Sequence, residues 1–365
     1  MKIGLVGDAH LGATDFSAKR RADFSQAFVN ALAACEGQGA EVVCLLGDVF
    51  DSAATRRRID AFADVLADIA PALRSLKTNG IALLAIPGNH EFGRGREAGE
   101  LRALESLGLL QVLRCTEFTS GEVGIIGIPW QENPAGLPEI AQSLRRASSA
   151  RRKLLLVHNY VRGAKAIPSH LWEVDHAAAD GFDRGFAGHH HVYEDCGPFV
   201  APGATETQNM LDASDKCVLI YDSVTSRVTR HALPATHRVV VLEYDTSDVT
   251  PGELRERILR DLDGIADPRE TFVYVRLIGS PAVGRAPVKA DVLAVLKQRQ
   301  FFDCFVDPRY ATKTQTATEV MRGASIDQLL RRAFKGAELE KAQRYLAVPE
   351  SDGFWIEIRE RILGS

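Results

Sequence analysis

The protein has 365 residues, which is enough for two domains or for one large core with appendages. Hydrophobic residues make up 45% of the sequence and charged residues 25%, the composition of a globular enzyme and not of a disordered chain. The formal net charge of -4 excludes a protein covered in positive charge, although a local basic path for a polyanion is compatible with it.

The cysteines and the N-terminus indicate the cell compartment. The six cysteines form no CxxC pair, which argues against a zinc ribbon or a dithiol redox site. Cys44 lies within an apolar run and is expected to be a buried free thiol. The N-terminus lacks the pattern of a signal peptide, and no apolar stretch is long enough to span a bilayer. We therefore expect a cytoplasmic protein that does not bind a membrane.

The first two-thirds of the chain alternates short apolar runs with amphipathic stretches. The apolar runs predict strands at residues 3–6, 41–46, 81–86, 122–128, 153–157 and 182–187. The amphipathic stretches predict helices at residues 16–35, 57–78 and 97–107. Apolar strands separated by helices indicate a sheet covered on both faces, with functional groups on the loops that leave the carboxyl ends of the strands.

The pattern changes after a predicted linker at residues 233–236. Two more strands, predicted at residues 217–221 and 227–233, close a first domain that we place at residues 1–235. A small α+β domain is expected at residues 236–315, with strands at 239–244 and 271–277 and helices at 251–265 and 288–298. Residues 316–365 are predicted to form a helical tail with several basic residues.

Polar side chains follow the predicted strands in chain order. Five clusters stand there: Asp8-x-His10, Gly47-Asp48-x-x-Asp51, Gly88-Asn89-His90-Glu91, His158 and Gly188-His189-x-His191. A lone aspartate or histidine is more often a turn or core residue, but the joint occurrence of all five makes that explanation weak for the set. Their donors are oxygen and nitrogen without a thiolate, which suits Mn, Fe or Zn. So many ligands suit a pair of cations about 3.5–4 Å apart, with the Asp48 carboxylate as the natural bridge.

These clusters resemble the motifs of the calcineurin-like metallophosphoesterase superfamily. The resemblance implies an α/β (α+β) fold in four layers, a β-sandwich flanked by helices, with the metals at its edge. Carried over residue by residue, it implies one metal held by Asp8, His10, Asp48 and His191, and a second held by Asp48, Asn89, His158 and His189. His90 matches the general acid that protonates the leaving alkoxide. His190 falls at a variable position, where a supporting or exposed histidine is expected.

A finer resemblance separates two branches of the superfamily. Phosphoprotein phosphatases share Gly-Asn-His-Glu, but they carry Arg-Gly after the second aspartate motif, where this chain has Ser52-Ala53. The runs at residues 8–12 and 47–51 instead resemble the SbcD-type DNA repair exonucleases. That resemblance implies DNA end processing and double-strand break repair beside an SMC-like ATPase of the SbcC type, and it makes the small α+β domain a cap that recognises DNA. Two departures, Glu91 for aspartate and Ala204 for serine, leave the metal ligands intact but weaken any statement on substrate geometry.

Several polar and apolar residues have two interpretations each. Asp51 either positions the substrate near the scissile phosphate or caps the following helix. Arg57 and Arg58, beside Arg56, form either a phosphate clamp or the solvated start of a helix. In the tail, the apolar face of Leu329, Leu330 and Phe334 either docks on the coiled coil of the ATPase or covers the cap.

We therefore expect a nuclease, acting as an exonuclease or endonuclease, that hydrolyses DNA phosphodiester bonds with a metal-activated water. The two divalent ions are expected to be Mn²⁺, with Fe²⁺, Zn²⁺ or Mg²⁺ as alternatives. Two other functions stay open: a small-molecule or cyclic-nucleotide phosphodiesterase, and a non-catalytic DNA-binding or scaffold subunit, which the intact ligand set disfavours. Cleavage polarity, strand preference and formation of a homodimer are left open by the sequence.

Overall fold

A computed structural model shows two modules with separate sheets. It describes residues 1–14, 17–51, 59–93, 96–97, 99–164, 173–208, 215–247, 249–280 and 285–310. The predicted helical tail and the arginines Arg56, Arg57 and Arg58 lie outside the described residues.

The described residues form short strands and helices in alternation. The strands are β1 (Lys2–Val6), β2 (Val42–Leu45), β3 (Ala82–Ala85), β4 (Phe92–Gly93), β5 (Arg96–Glu97), β6 (Gln111–Val112), β7 (Thr116–Ser120), β8 (Val123–Ile128), β9 (Arg152–Val157), β10 (Arg184–Ala187), β11 (Glu194–Cys196), β12 (Phe199–Ala201), β13 (Cys217–Asp222), β14 (Arg227–Ala232), β15 (Arg238–Asp245), β16 (Thr271–Gly279) and β17 (Asp303–Tyr310). The helices are α1 (Arg21–Gly37), α2 (Ile59–Thr78), α3 (Gly99–Ser106), α4 (Leu137–Ala147), α5 (Pro251–Asp263) and α6 (Arg285–Lys297).

The first module is a sandwich of two six-stranded sheets. One sheet has the order β14-β13-β1-β2-β3-β6 and the other has the order β11-β12-β10-β9-β8-β7. Apolar side chains from both sheets, among them Leu5, Leu156 and Phe186, form the core between them. Helices α1 and α2 cover the outer face of the first sheet, and α4 covers the second. The sequence predicted a sheet covered on both faces, and the structure divides those strands between two sheets, as the family resemblance implied.

The carboxyl ends of the parallel strands bring the predicted clusters to one edge. Strands β1, β2 and β3 run parallel in one sheet, and β8, β9 and β10 run parallel in the other. Backbone bonds join neighbouring loops there: the N–H groups of Ala9 and His10 both donate to the carbonyl of Asp48. The loops after β1 and β2 are therefore fixed against each other before any side chain is considered.

The second, three-stranded module comprises residues 238–310. Its sheet has the order β15-β16-β17, with all three strands parallel, and α5 and α6 cover one face. Helix α5 begins at a capping box in which Thr250 and Glu253 satisfy each other's backbone N–H groups. The elements predicted here are present, whereas β17 was not predicted. In the sandwich, helix α4 and the strands β4, β5, β6, β7, β11 and β12 were not predicted. The domain limits at residues 235 and 315 stay proposals.

The structure also gives the state of the cysteines and the character of the helices. All six cysteines are free, and Cys44 is buried as predicted. Among the described residues, no helix combines the length and the apolar character that crossing a membrane requires.

Candidate metal centre

Three of the predicted ligands have a backbone conformation that is uncommon outside glycine. The φ angle is 45° at His10, 47° at Asp48 and 72° at His189. Such left-handed residues are uncommon and cluster at functional sites, where the surrounding structure holds them. The strained backbone therefore coincides with the loops that the sequence assigned to the metals.

A first group of ligand atoms comes from the loops after β1 and β10. Atoms of Asp8, His10 and His191 lie within 4.8 Å of one another. The Nε2 atoms of His10 and His191 are 3.3 Å apart, and the Asp8 and His10 side chains are buried. The backbone N–H of His189 donates to the Asp8 carboxylate at 2.9 Å and ties the two loops together.

A second group comes from the loops after β2, β9 and β10. Atoms of Asp48, His158 and His189 lie within 4.8 Å of one another. The Nε2 of His158 is 3.3 Å from Oδ2 of Asp48 and 3.1 Å from Oδ1 of Asn89. The Nδ1 of the same ring is 2.6 Å from the carbonyl of Leu46. A proton on Nδ1 satisfies that carbonyl and leaves the Nε2 lone pair facing the centre.

Asp48 joins the two groups through one oxygen. Its Oδ2 is 3.3 Å from the second-group histidine His158 and 3.9 Å from the first-group histidine His10. Its Oδ1 instead accepts the backbone N–H of His90 at 2.8 Å. The sequence predicted the Asp48 carboxylate as the bridge, and in this geometry Oδ2 is the oxygen that lies between the two groups.

The buried donor set fits positively charged ions. Burial and the neighbouring Asp48 charge raise the pKa of Asp8 to about 7, although His158 opposes this shift. Burial lowers the pKa of His10 to about 3, and His10 Nδ1 has no hydrogen-bond partner among the described residues. Two facing imidazole nitrogens and two buried carboxylates are the arrangement that cations stabilise. The residues therefore fit the divalent ions that the family implies.

The remaining histidines of the centre differ in charge. Burial lowers the pKa of His189 to about 3. Burial also acts to lower the pKa of His158, but the Asp48 and Asp8 carboxylates outweigh it and raise that pKa to about 9. In the metal-free protein His158 therefore holds a proton that a cation must displace, since a ligating imidazole is neutral.

His90 and Asp51 lie together at the open side of the centre. The Nδ1 of His90 is 3.5 Å from Oδ1 of Asp51, and the His90 side chain is 33% exposed while those of the predicted ligands His10 and His158 are almost fully buried. Burial acts to lower the pKa of His90, but the bond to Asp51 and the Asp48 charge raise it to about 9. His90 also comes within 4.8 Å of His10 and Asp48, so proximity alone does not separate an acid from a ligand.

Two further residues support the centre: Glu91 was given no supporting role from the sequence, whereas His190 was expected to be either a supporting or an exposed histidine. Glu91, considered only as a marker of the family branch, is fully buried and accepts backbone N–H groups from the loops on both sides. His190 is buried as well, and its Nε2 accepts the N–H of Val161 at 3.2 Å. The signal for Glu91 was its position directly after two predicted site residues. Nothing local in the sequence distinguishes His190 from its neighbours.

The tight packing of the loops explains two glycines of the motifs. A Cβ atom at Gly88 would overlap the backbone nitrogen and the carboxylate of Asp48, and one at Gly188 would overlap the ring of His158. Only glycine lets these backbones approach the ligands so closely.

Comparison with known proteins agrees with this geometry. The sequence profile of the calcineurin-like phosphoesterases matches residues 1–193, more than half of the chain. The chain belongs to the calcineurin-like phosphoesterase family. A member of this family is a metal-dependent phosphoesterase, and the two-sheet sandwich with its edge site is the expected fold.

The comparisons also found one curated protein and one solved structure that are similar to parts of this chain. The DNA double-strand break repair protein Mre11 of Haloferax volcanii is 36% identical over 124 residues, which are 34% of this chain and 26% of that protein. The matched stretch thus spans about a quarter of the relative. A crystal structure of a dimetal phosphatase from Danio rerio superposes with a TM-score of 0.44 at 13% identity, over 64% of this chain and 96% of that one.

Proposed function

We propose that this phosphoesterase is a DNA nuclease that uses two divalent cations, in the first place Mn²⁺. The observation that carries the proposal is the meeting of two ligand groups at Oδ2 of Asp48. Asp48 would be shared by the two cations, and a cation pair would supply charge stabilisation for in-line displacement at phosphorus. The similarity to an archaeal DNA break repair protein supports DNA as the substrate.

The residues of the centre have two proposed roles: most would bind the cations, and one would donate a proton. Asp8, His10, Asp48 and His191 would hold one cation, and Asp48, Asn89, His158 and His189 the other. When bound, such a pair polarises a phosphate and lowers the pKa of a coordinated water. His90 stands at the open side, where its half-exposed ring can reach a leaving oxygen and donate a proton to it. Asp51 would orient that ring through Nδ1 and leave Nε2 for the substrate.

The wider role of the protein is proposed from the same likeness. We place it in DNA end processing, with an SMC-like ATPase of the SbcC type as partner and the three-stranded module as a cap over the DNA. The predicted contacts of Arg57, Arg58 and the helical tail lie outside the described residues and remain proposals, as does a cytoplasmic location. The departure at Ser52-Ala53 favours this branch over the phosphoprotein phosphatases.

Cleavage of end-labelled DNA tests the proposal. Linear duplex, single-stranded and hairpin DNA are incubated with Mn²⁺, beside bis-p-nitrophenyl phosphate, using the wild type, His90→Ala and the control His231→Ala on edge strand β14. We expect DNA cleavage in the wild type and the control, and loss of about 10²–10⁴-fold in His90→Ala with both metals retained. Hydrolysis of the small diester with intact DNA would contradict the nuclease and favour a small-diester phosphodiesterase. Loss of metal in His90→Ala would instead make His90 a ligand.

A further inference from the structure

The side chain of Glu91 connects the loop after β2 to the loop after β3. It is 0% exposed, and each of its carboxylate oxygens accepts backbone N–H groups. Oε2 accepts from Asp48 at 2.9 Å and from Gly88 at 2.8 Å, while Oε1 accepts from Phe50 at 2.8 Å. One carboxyl side chain therefore fixes three points of two loops.

The loop after β2 needs such support because its backbone is in an unfavourable conformation. Asp48 has a φ of 47° and follows Gly47 with a φ of 92°. A non-glycine residue keeps a positive φ only where its surroundings hold it there. Glu91 bonds the N–H of Asp48 itself and that of Phe50 two residues later, and so restrains the chain on both sides of the Asp48 carbonyl.

The same bonds determine which way the Asp48 carboxylate faces. The loop that Glu91 holds through Gly88 also supplies the His90 N–H, which donates to Oδ1 of Asp48 at 2.8 Å. Oδ2 is thereby left facing His158 at 3.3 Å. Asn89, between Gly88 and His90, presents its Oδ1 to the same His158 nitrogen at 3.1 Å. Candidate ligand atoms of Asp48, Asn89 and His158 therefore lie close together. The loops that carry Asp48 and Asn89 are held by Glu91, which is not itself a candidate ligand.

We propose that Glu91 is a positioning residue that determines the affinity of the second cation, by holding Asp48 and Asn89 at the spacing that this cation requires. The inference rests on the proposed two-cation centre. Groups that orient metal ligands affect metal affinity although they do not contact the metal. An aspartate at this position, one methylene shorter, cannot reach Phe50 and Gly88 from the same backbone.

Calorimetric titration of Mn²⁺ into the metal-free full-length protein tests this role. Glu91→Gln keeps the shape but turns an amide N–H group toward backbone donors, and Glu91→Asp keeps the carboxyl group but shortens the reach. We expect the second Mn²⁺ to bind about 10–100-fold more weakly in both variants. The matched control is Asp23→Asn, another buried carboxyl, which contacts His237 of the linker region and no site residue. It is expected to lower the melting temperature and to keep wild-type affinity for both cations.

The outcomes separate this inference from the proposed function. Fewer than two Mn²⁺ bound by the wild type would overturn the two-cation centre itself. Two bound by the wild type and two bound with unchanged affinity by Glu91→Gln would overturn only the positioning role. If the variants do not fold, amide exchange in the metal-free wild type decides. Protection of the Asp48, Phe50 and Gly88 amides comparable to that of strand β2 supports the role, and exchange as fast as in an open loop contradicts it.

Discussion

Two clusters of buried polar side chains differ in how their charges are balanced. At the metal centre, Asp8 and Asp48 are buried beside imidazole rings: His158 Nε2 lies 3.9 Å from Asp8 and 3.3 Å from Asp48, and His10 Nε2 lies 3.9 Å from Asp48. Where the sandwich meets the three-stranded module, Asp23 and Glu206 are buried around the guanidinium of Arg20, which is 1% exposed. The first cluster must take its positive charge from solution, whereas the second contains it in the sequence.

The second cluster, Arg20 with Asp23 and Glu206, contacts both modules. Arg20 donates to Glu206 at 3.2 Å and to the carbonyl of Thr207 at 2.6 Å, and its guanidinium lies 5.5 Å from the Phe272 ring of β16. On the same side, His237 bonds Asp23 at 2.9 Å and stacks on Phe302 with the ring centroids 3.6 Å apart. Because Arg20 supplies the positive charge, this cluster can stabilise the contact between the two modules without a metal ion.

The two clusters are also neighbours along one loop. The N–H of Ala204 donates to the carbonyl of His191, and the N–H of Thr205 donates to the carbonyl of Asp8. The next residue is Glu206, the partner of Arg20. The comparison thus makes a specific claim: metal removal and loss of Arg20 weaken the protein by separate routes, although both act near this loop.

The largest effect is expected from Asp48→Asn, which weakens the oxygen shared by both ligand groups. Each cation contributes several kcal/mol of transition-state stabilisation. Activity should therefore fall by about a thousandfold or more, together with loss of bound metal by elemental analysis. Asp222→Asn, in a turn at the far end of β13, is the control and should keep metal and activity. An Asp48→Asn protein with two tightly bound cations would break the assignment of the bridge.

A smaller effect, on stability alone, is expected from Arg20→Met. Removing the cation leaves Asp23 and Glu206 buried without countercharge, which costs about 3–5 kcal/mol of unfolding free energy. The neighbouring Arg21→Met is the control, because its pair with Asp64 at 3.0 Å is solvent-exposed and worth about 0–1 kcal/mol. Denaturant melts with and without chelator give the test. The chelator should lower the stability of the wild type and of both variants. An Arg20→Met protein whose stability no longer changes with chelator would contradict the claim that the two clusters stabilise the protein by separate routes.

The sequence predicted the metal centre much better than the interface cluster, for a physical reason. The ligands follow apolar strands, and the parallel arrangement of those strands brings their carboxyl ends together without knowledge of any single contact. Arg20 stands beside Lys19 and Arg21, in a run that resembles a solvated helix start, and its partner Glu206 is 186 residues away. No periodicity links two such residues.

The fold shows the same division between local and distant information. The long apolar strands and the helices next to them were predicted to within a few residues, because their patterns are local. Strand β17 contains Asp303, Asp307 and Pro308, and it is recognisable as a strand only through its parallel pairing with β16. Glu91 is a similar case, since two of its three bonds reach backbone groups 41 and 43 residues away in the sequence.

The smallest effect expected is on the pH dependence of metal binding. In the metal-free protein the raised pKa values, about 7 for Asp8 and about 9 for His158, mean that these ligands hold protons at or below neutral pH. Cations displace those protons, so affinity should fall as the pH falls, by about tenfold per pH unit for each proton displaced. Competition with a metal indicator between pH 6 and 7 measures this, and an affinity that does not change with pH would contradict the assignment of His158 as a ligand.

The most direct measurement is anomalous diffraction from crystals of the full-length protein grown with Mn²⁺. The account predicts two peaks about 3.5–4 Å apart. One peak should lie among Asp8, His10, Asp48 and His191, and the other among Asp48, Asn89, His158 and His189, with Oδ2 of Asp48 bound to both. A single peak, or a pair that does not share Asp48, would contradict the two-cation centre on which the proposed nuclease depends.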